Sequence, residues 1–194
     1  MNLPGVYDIF LEKWKDLQTC WIISDTHFDD RDLCQGIRNR PSDEELVKII
    51  NSKVGKKDLL IHLGDVGNLE YMKQIRGYKI LICGNHDSGH TLYKDIFQEV
   101  YSGPLMIAEK LIFSHEPVDV PWAFNIHGHV HDRRHKNDKN HFNCCADVIN
   151  YEPINFNQWM KSGYLAHIDS IHRETINAAA IRKAKRGGKK IGEK

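Results

Sequence analysis

Five short apolar runs in this chain each end in a cluster of residues that bind metals or move protons, and that repetition constrains the fold more than any other feature. The clusters are Asp25-Thr26-His27, Gly64-Asp65, Gly84-Asn85-His86-Asp87, Ser114-His115 and His127-Gly128-His129-Val130-His131. Short apolar runs bounded by polar and glycine-containing turns read as buried strands. The clusters then fall in loops just past the strands' carboxyl ends, where open α/β sheets bind ligands. Imidazole mixed with carboxylate suits borderline divalent cations.

The surrounding pattern supplies the rest of an α/β chain. Strands are expected over residues 19–24, 58–63, 79–83, 123–126 and 142–148, and residues 105–108 and 110–113 flank one turn as an antiparallel hairpin. Ser42-Asp43-Glu44-Glu45 is a capping box opening a helix through Leu46, Ile49 and Ile50, with Gly55 just past its end. Helices are also expected over 69–76, stopped at Gly77, over 92–99, over 156–161 with Asn155 as cap, and from 164 to about 186. Val6, Ile9, Phe10, Lys13 and Trp14 have helical spacing at the N-terminus. Strand, helix, strand, helix implies parallel neighbours.

With 194 residues, 41% hydrophobic and 27% charged, the chain suits one globular domain, expected over residues 1–181. No run approaches the length of a membrane span, and Glu12, Lys13 and Lys15 interrupt any signal-like start, so a cytoplasmic protein with no membrane partner is expected. Five cysteines without Cys-x-x-Cys spacing make neither a disulfide framework nor a zinc ribbon. Cys144 and Cys145, adjacent in an expected strand, should point to opposite faces, one into the core and one to solvent. The net charge of +1 conceals an asymmetry. Residues 182–194 hold seven Lys or Arg against one Glu, a basic and flexible tail on a net-acidic body.

In order and spacing the clusters resemble the calcineurin-like metallophosphoesterases, whose pattern runs Asp-x-His, Gly-Asp, Gly-Asn-His-Asp or -Glu, His and Gly-His-x-His. Every element is present from Asp25 to His131, and the likeness extends to about residue 160. The resemblance implies an α/β fold, a four-layer α/β/β/α sandwich with two mixed sheets. It implies that Asp25, His27, Asp65 and His131 hold one metal, that Asp65, Asn85, His115 and His129 hold a second, and that Asp65 bridges them. His86 would face the substrate as a proton or hydrogen-bond donor, oriented by Asp87. The cofactors implied are two divalent ions; manganese is expected to support activity in vitro, with iron, zinc and nickel as alternatives that this ligand set does not separate. The reaction implied is hydrolysis of phosphodiester bonds, and of phosphomonoesters as well, by hydroxide held between the two ions.

Taken singly, the clusters are weak: Asp-x-His occurs in ordinary turns, and a lone His115 is more often structural than a ligand. Five together in order are hard to produce by accident. His127 is expected to pack or to support the ligands, His62 to sit in the core, and His135, His141, His167 and His172 to lie on the surface. His90 falls near enough to Asp87 to reach a substrate, with a solvated loop as the plainer reading. Arg31, Arg38, Arg40, Arg133 and Arg134 suit phosphate but read first as surface charges. Residues 116–122, with Pro117 and Pro121, suit a stiff cleft wall, and Trp122 or Phe28 could stack on a base, though core packing is the plainer use. Ligand clusters separated by 40, 20, 30 and 14 residues leave no room for an inserted cap domain, so the cleft should be open. Two other readings stand beside this one: a nuclease acting on nucleic-acid ends, and a catalytically silent binding module, which the intact ligand set disfavours. The partner is a phosphoester, a nucleotide or nucleic acid included; the sequence leaves oligomeric state open.

Overall fold

A computed structural model describes residues 1, 3, 5–32, 39–87, 90–132, 137–168 and 178–184, the side chains of residues 90 and 91 excepted. Four parallel strands, β1 (Cys20–Ile23), β2 (Leu59–His62), β3 (Tyr78–Ile82) and β4 (Glu99–Tyr101), form most of one sheet. A second sheet follows: β5 (Leu105–Ala108) pairs antiparallel with β6 (Leu111–Phe113), and β6, β7 (Phe124–His127) and β8 (His141–Asn143) run parallel. Then β9 (Ile154–Asn155) returns to pair antiparallel with β1, giving the order β4-β3-β2-β1-β9 beside β5-β6-β7-β8. Both sheets are thus mixed, as the resemblance implied.

Alternation along the strands decides which layer each side chain joins. Ile22, Ile61 and Ile80 stand in one row of the register and pack with Leu111, Phe113, Phe124 and Ile126 of the second sheet. Leu60 and Leu81 point the other way, onto helix α2 (Asp43–Lys53) through Leu46, Val47 and Ile50. Each such side chain, fully buried, contributes roughly 2 kcal/mol. Ser42 caps the helix as expected, its Oγ accepting the Glu45 N–H at 3.2 Å. At the N-terminus, α1 (Asp8–Lys13) buries Phe10, flanked by Val6 and Trp14, and leaves Ile9 65% exposed. The expected helix at Phe156–Lys161 has Asn155 accepting the Gln158 N–H and packs Trp159 on Phe124.

Some expectations need correction. The helix over 69–76 shortens to Leu69–Met72, and the stretch 92–99 divides into His90–Tyr93, a turn, and β4. Glu99 belongs to a strand because its carboxylate gathers Lys13 Nζ (2.9 Å) and Trp14 Nε1 (3.2 Å) from the end of α1 and the Tyr78 hydroxyl (3.2 Å) from β3. The strand expected over 142–148 stops at Asn143. Beyond it, Ser24 and Cys145 form a parallel bridge, with Ser24 N–H donating to the Cys144 carbonyl and Ala146 N–H to the Ser24 carbonyl. The two sheets join there, so Cys144 and Cys145 are both fully buried and neither meets solvent. His141 is buried too, its ring nitrogens 3.1 Å from Asp119 and 2.9 Å from Asp138, which satisfies both polar ends away from water.

Of the expected C-terminal helix and tail, residues 178–184 form an exposed helix. Ile171, His172, Ile176 and residues 185–194 lie outside the described residues, as do Arg38, Arg133, Arg134 and His135. Among the described residues no helix is long and apolar enough to cross a membrane.

Candidate active site

The polar clusters follow β1, β2, β3, β6 and β7, all at carboxyl ends, and the loops that carry them are laced together by backbone hydrogen bonds. Asp25 N–H donates to the Gly64 carbonyl (2.9 Å), His27 N–H to that of Asp65 (3.1 Å), and Gly128 N–H to that of His115 (2.8 Å). Asp25, His27, Asp65 and His129 have φ of 54°, 41°, 56° and 67°. Non-glycine residues in this left-handed region cost roughly 1–2 kcal/mol each, and the lacing holds them there. Arg40, read from sequence as a surface charge, is part of that scaffold. Its guanidinium donates to the carbonyls of Thr26 (2.7 Å) and His27 (3.3 Å) and pairs with Asp43 (2.9 Å), fixing the first ligand loop to the start of α2. Arg31 is exposed, and Phe28 is buried, stacked on Tyr71 in the core.

Two groups of ligand atoms result. Asp25, His27 and His131 converge in one, and Asp65, His115 and His129 in the other. In the first, His27 Nε2 and His131 Nε2 lie 3.8 and 3.5 Å from Asp25 Oδ1. In the second, Asn85 Oδ1 lies 2.9 Å from His115 Nε2 and 3.0 Å from His129 Nδ1. Asp65 Oδ2 stands between the groups, 3.6 Å from His27 Nε2 and 3.3 Å from His115 Nε2. The residues fit divalent cations. Atoms bound about 2.1 Å from a tetrahedral ion sit roughly 3.4 Å from one another, the range seen here. Asp25 Oδ1 is buried with no hydrogen-bond partner among the described residues, an arrangement that costs free energy unless a cation completes it.

Electrostatics point the same way. Burial works to raise the Asp25 carboxyl, but His27, His115, Ser24 and the His129 N–H hold it well below the usual carboxylate range. Asp65 is lowered as well, its burial outweighed chiefly by His115. Burial works to lower His115, but the hydrogen bond to Asp65 and the charges of Asp25 and Asp65 hold it up at about 8. Two anionic carboxylates among imidazoles thus make a site that attracts positive charge.

His86 lies at the exposed mouth, its ring edge-on to His27 with centroids 5.5 Å apart. Asp87, expected to orient it, has another use. Its carboxylate accepts the N–H groups of Asp65 (2.8 Å), Val66 (3.0 Å) and Gly84 (2.8 Å) and the Tyr93 hydroxyl (3.3 Å), none of them from His86. Asp87 therefore ties the Asp65 loop to the Gly84 loop. His127 turns to the outer face of the second sheet, beside His141, and His62 is buried with Nε2 on the Thr26 hydroxyl. The His90 side chain lies outside the described residues.

Sequence reasoning missed Asp147. Its Oδ1 accepts from His131 Nδ1 at 2.9 Å, and that hydrogen bond is the main cause of the raised His131 pKa. The contact fixes the tautomer that leaves Nε2 facing Asp25. Cys145 sits close by, but burial and then the Asp25 carboxylate push its thiol far up, and it serves as a neutral donor to Asp25 Oδ2 at 3.1 Å. Asp147→Asn is expected to weaken metal binding by roughly 10–100-fold while leaving the fold intact, as calorimetric titration of the metal-free protein would measure. Unchanged affinity would reduce Asp147 to a surface contact.

The sequence pattern of the calcineurin-like phosphoesterase superfamily domain matches residues 19–145. No curated protein matches the chain. Among solved structures, a protein of unknown function from Aquifex aeolicus, AQ665, is 26% identical with a TM-score of 0.62, over 74% of this chain and 98% of its own. The nuclease MPE of Pseudomonas putida is 20% identical with a TM-score of 0.42, over 58% of this chain and 61% of its own.

Proposed function

The chain belongs to the calcineurin-like phosphoesterase superfamily, and from that membership we propose that it hydrolyses phosphodiesters, and phosphomonoesters more slowly, at a site that takes two divalent cations. The observation that carries this reading is the position of Asp65 Oδ2 between two groups of ligand atoms. Asp25, His27, Asp65 and His131 would hold one cation; Asp65, Asn85, His115 and His129 would hold the other. When bound, such a pair supplies a water-derived nucleophile at neutral pH and neutralises charge on the phosphoryl oxygens.

The chain's own residues do the remaining work. His86 stands at the exposed mouth, where an imidazole can donate a hydrogen bond or a proton to the oxygen that leaves. Asp87 and Arg40 keep the ligand loops in register, so that little reorganisation accompanies the reaction.

Metal-stripped protein, assayed on a chromogenic phosphodiester and its monoester with manganese, iron, zinc or nickel restored, is expected to regain hydrolysis, fastest with manganese and the diester. His86→Ala is expected to lower kcat by about 10²–10⁴ with metal content unchanged. Full occupancy by two metals without hydrolysis of either ester would shift the reading to a binding module on the same fold.

A further inference from the structure

A cavity of about 330 Å³ opens beside the second ligand group, with Asn85 and His115 in one wall. Ser102 and Pro104, from the turn between β4 and β5, and Glu116 and Pro117, from the loop after β6, complete it. We infer that this cavity is the seat of a single nucleoside esterified to the phosphate, so that the substrate is a small nucleotide ester rather than a polynucleotide strand. The inference rests on the phosphoesterase reading.

Charge is the first argument. Among the described residues no Lys or Arg lines the cavity, and Glu116 supplies the one charged lining group besides the histidine of the metal site. Sites that follow a nucleic-acid strand are lined with basic residues against its phosphates. A strand continued into this cavity would bring a second phosphate toward Glu116 with no cation among the described lining residues to receive it. An uncharged organic group meets no such repulsion.

Shape and polarity narrow the occupant. The volume lies at the low end of small-ligand sites, enough for one nucleoside. Two proline rings, Pro104 and Pro117, offer apolar surface, while the Ser102 hydroxyl and Glu116 carboxylate line the same cavity and can meet base or sugar N–H and O–H groups. An acyl chain would offer neither of those polar groups a partner.

The wall is also preformed. Asn125, buried in β7, accepts the Val118 N–H at 2.8 Å and donates to the Ser114 hydroxyl at 2.8 Å, which in turn donates to the Glu116 carbonyl at 2.6 Å. Little ordering of the loop remains to be done when a ligand arrives.

Thymidine 5′-(p-nitrophenyl phosphate) and methyl p-nitrophenyl phosphate release the same leaving group and differ in the group the cavity would hold. The metal-loaded protein is expected to favour the thymidine ester by at least about tenfold in kcat/KM. A Cβ on Gly103 would meet nothing within 4 Å, so Gly103→Trp can place its ring in the cavity without a backbone clash, and it is expected to erase that preference. Calorimetry gives a second readout: thymidine 5′-phosphate should bind more tightly than methyl phosphate, and Gly103→Trp should remove the difference. Glu116→Lys should favour a thymidine ester that carries an added 3′-phosphate. Equal use of both esters, or a preference that survives Gly103→Trp, would overturn the nucleoside seat and leave the phosphoesterase reading standing. Hydrolysis of neither ester would remove the reading beneath it.

Discussion

Asp65→Asn is expected to lower kcat by at least about a thousandfold and to cost the protein one or both cations. Asp65 is 2% exposed, and its two oxygens have separate duties. Oδ1 accepts the His86 N–H at 2.9 Å, which fixes the side chain, and Oδ2 faces His27 and His115. An amide that keeps the first bond must turn its NH₂ toward the second position. There it would present donors, and no charge, to two imidazole nitrogens and to any cation they hold. Turnover on the chromogenic diester, with elemental analysis of bound metal, measures both effects. A variant that keeps two metals and activity within tenfold of the parent would show that Asp65 is not the shared ligand.

Gly128→Ala is expected to destabilise the fold by about 3 kcal/mol, near the upper end of overpacking costs. Its Cβ would lie 2.0 Å from Ser24 Oγ and 2.2 Å from Asp25 Oδ2. Neither neighbour can yield cheaply, because Ser24 is bonded to the Leu63 carbonyl and Asp25 to the His129 N–H. For a chain of this size the melting temperature should fall by roughly 6–12 °C. Gly103→Ala, whose Cβ meets nothing, is the matched control and should melt close to the parent. Equal melting of the two variants would mean that Ser24 and Asp25 yield to a methyl group at Gly128 at little cost.

Gly128 also illustrates what a sequence discloses. The Gly of the Gly-His-x-His cluster is recognisable as a pattern, but its reason, a carboxylate pressed against backbone from 103 residues upstream, appears only in three dimensions. Strands β1, β2 and β3 were legible because buried parallel strands are continuous apolar runs. The capping box at Ser42 and the cap at Asn155 were legible because capping is local. β4 was not, since Glu99 looks like the polar end of a helix until Lys13, Trp14 and Tyr78 arrive from elsewhere. The candidate ligands could be read from type and order. Asp147, Arg40 and the bonds by which Asp87 ties two loops could not, since each acts on a partner remote in sequence or on backbone groups that carry no sequence signal.

Each ligand group draws from both sheets. Asp25 and His27 follow β1 of the first sheet while His131 follows β7 of the second, and Asp65 follows β2 while His115 and His129 follow β6 and β7. A cation in either place would therefore be a clasp across the sandwich, closing only when the two halves have docked. Docking and metal uptake would become one linked equilibrium: free ion at a hundred times its dissociation constant would add about 2.7 kcal/mol to the folded state, drawn from segments on separate sheets. Scarcity of metal would then loosen the join between the sheets before it disturbed either sheet within itself.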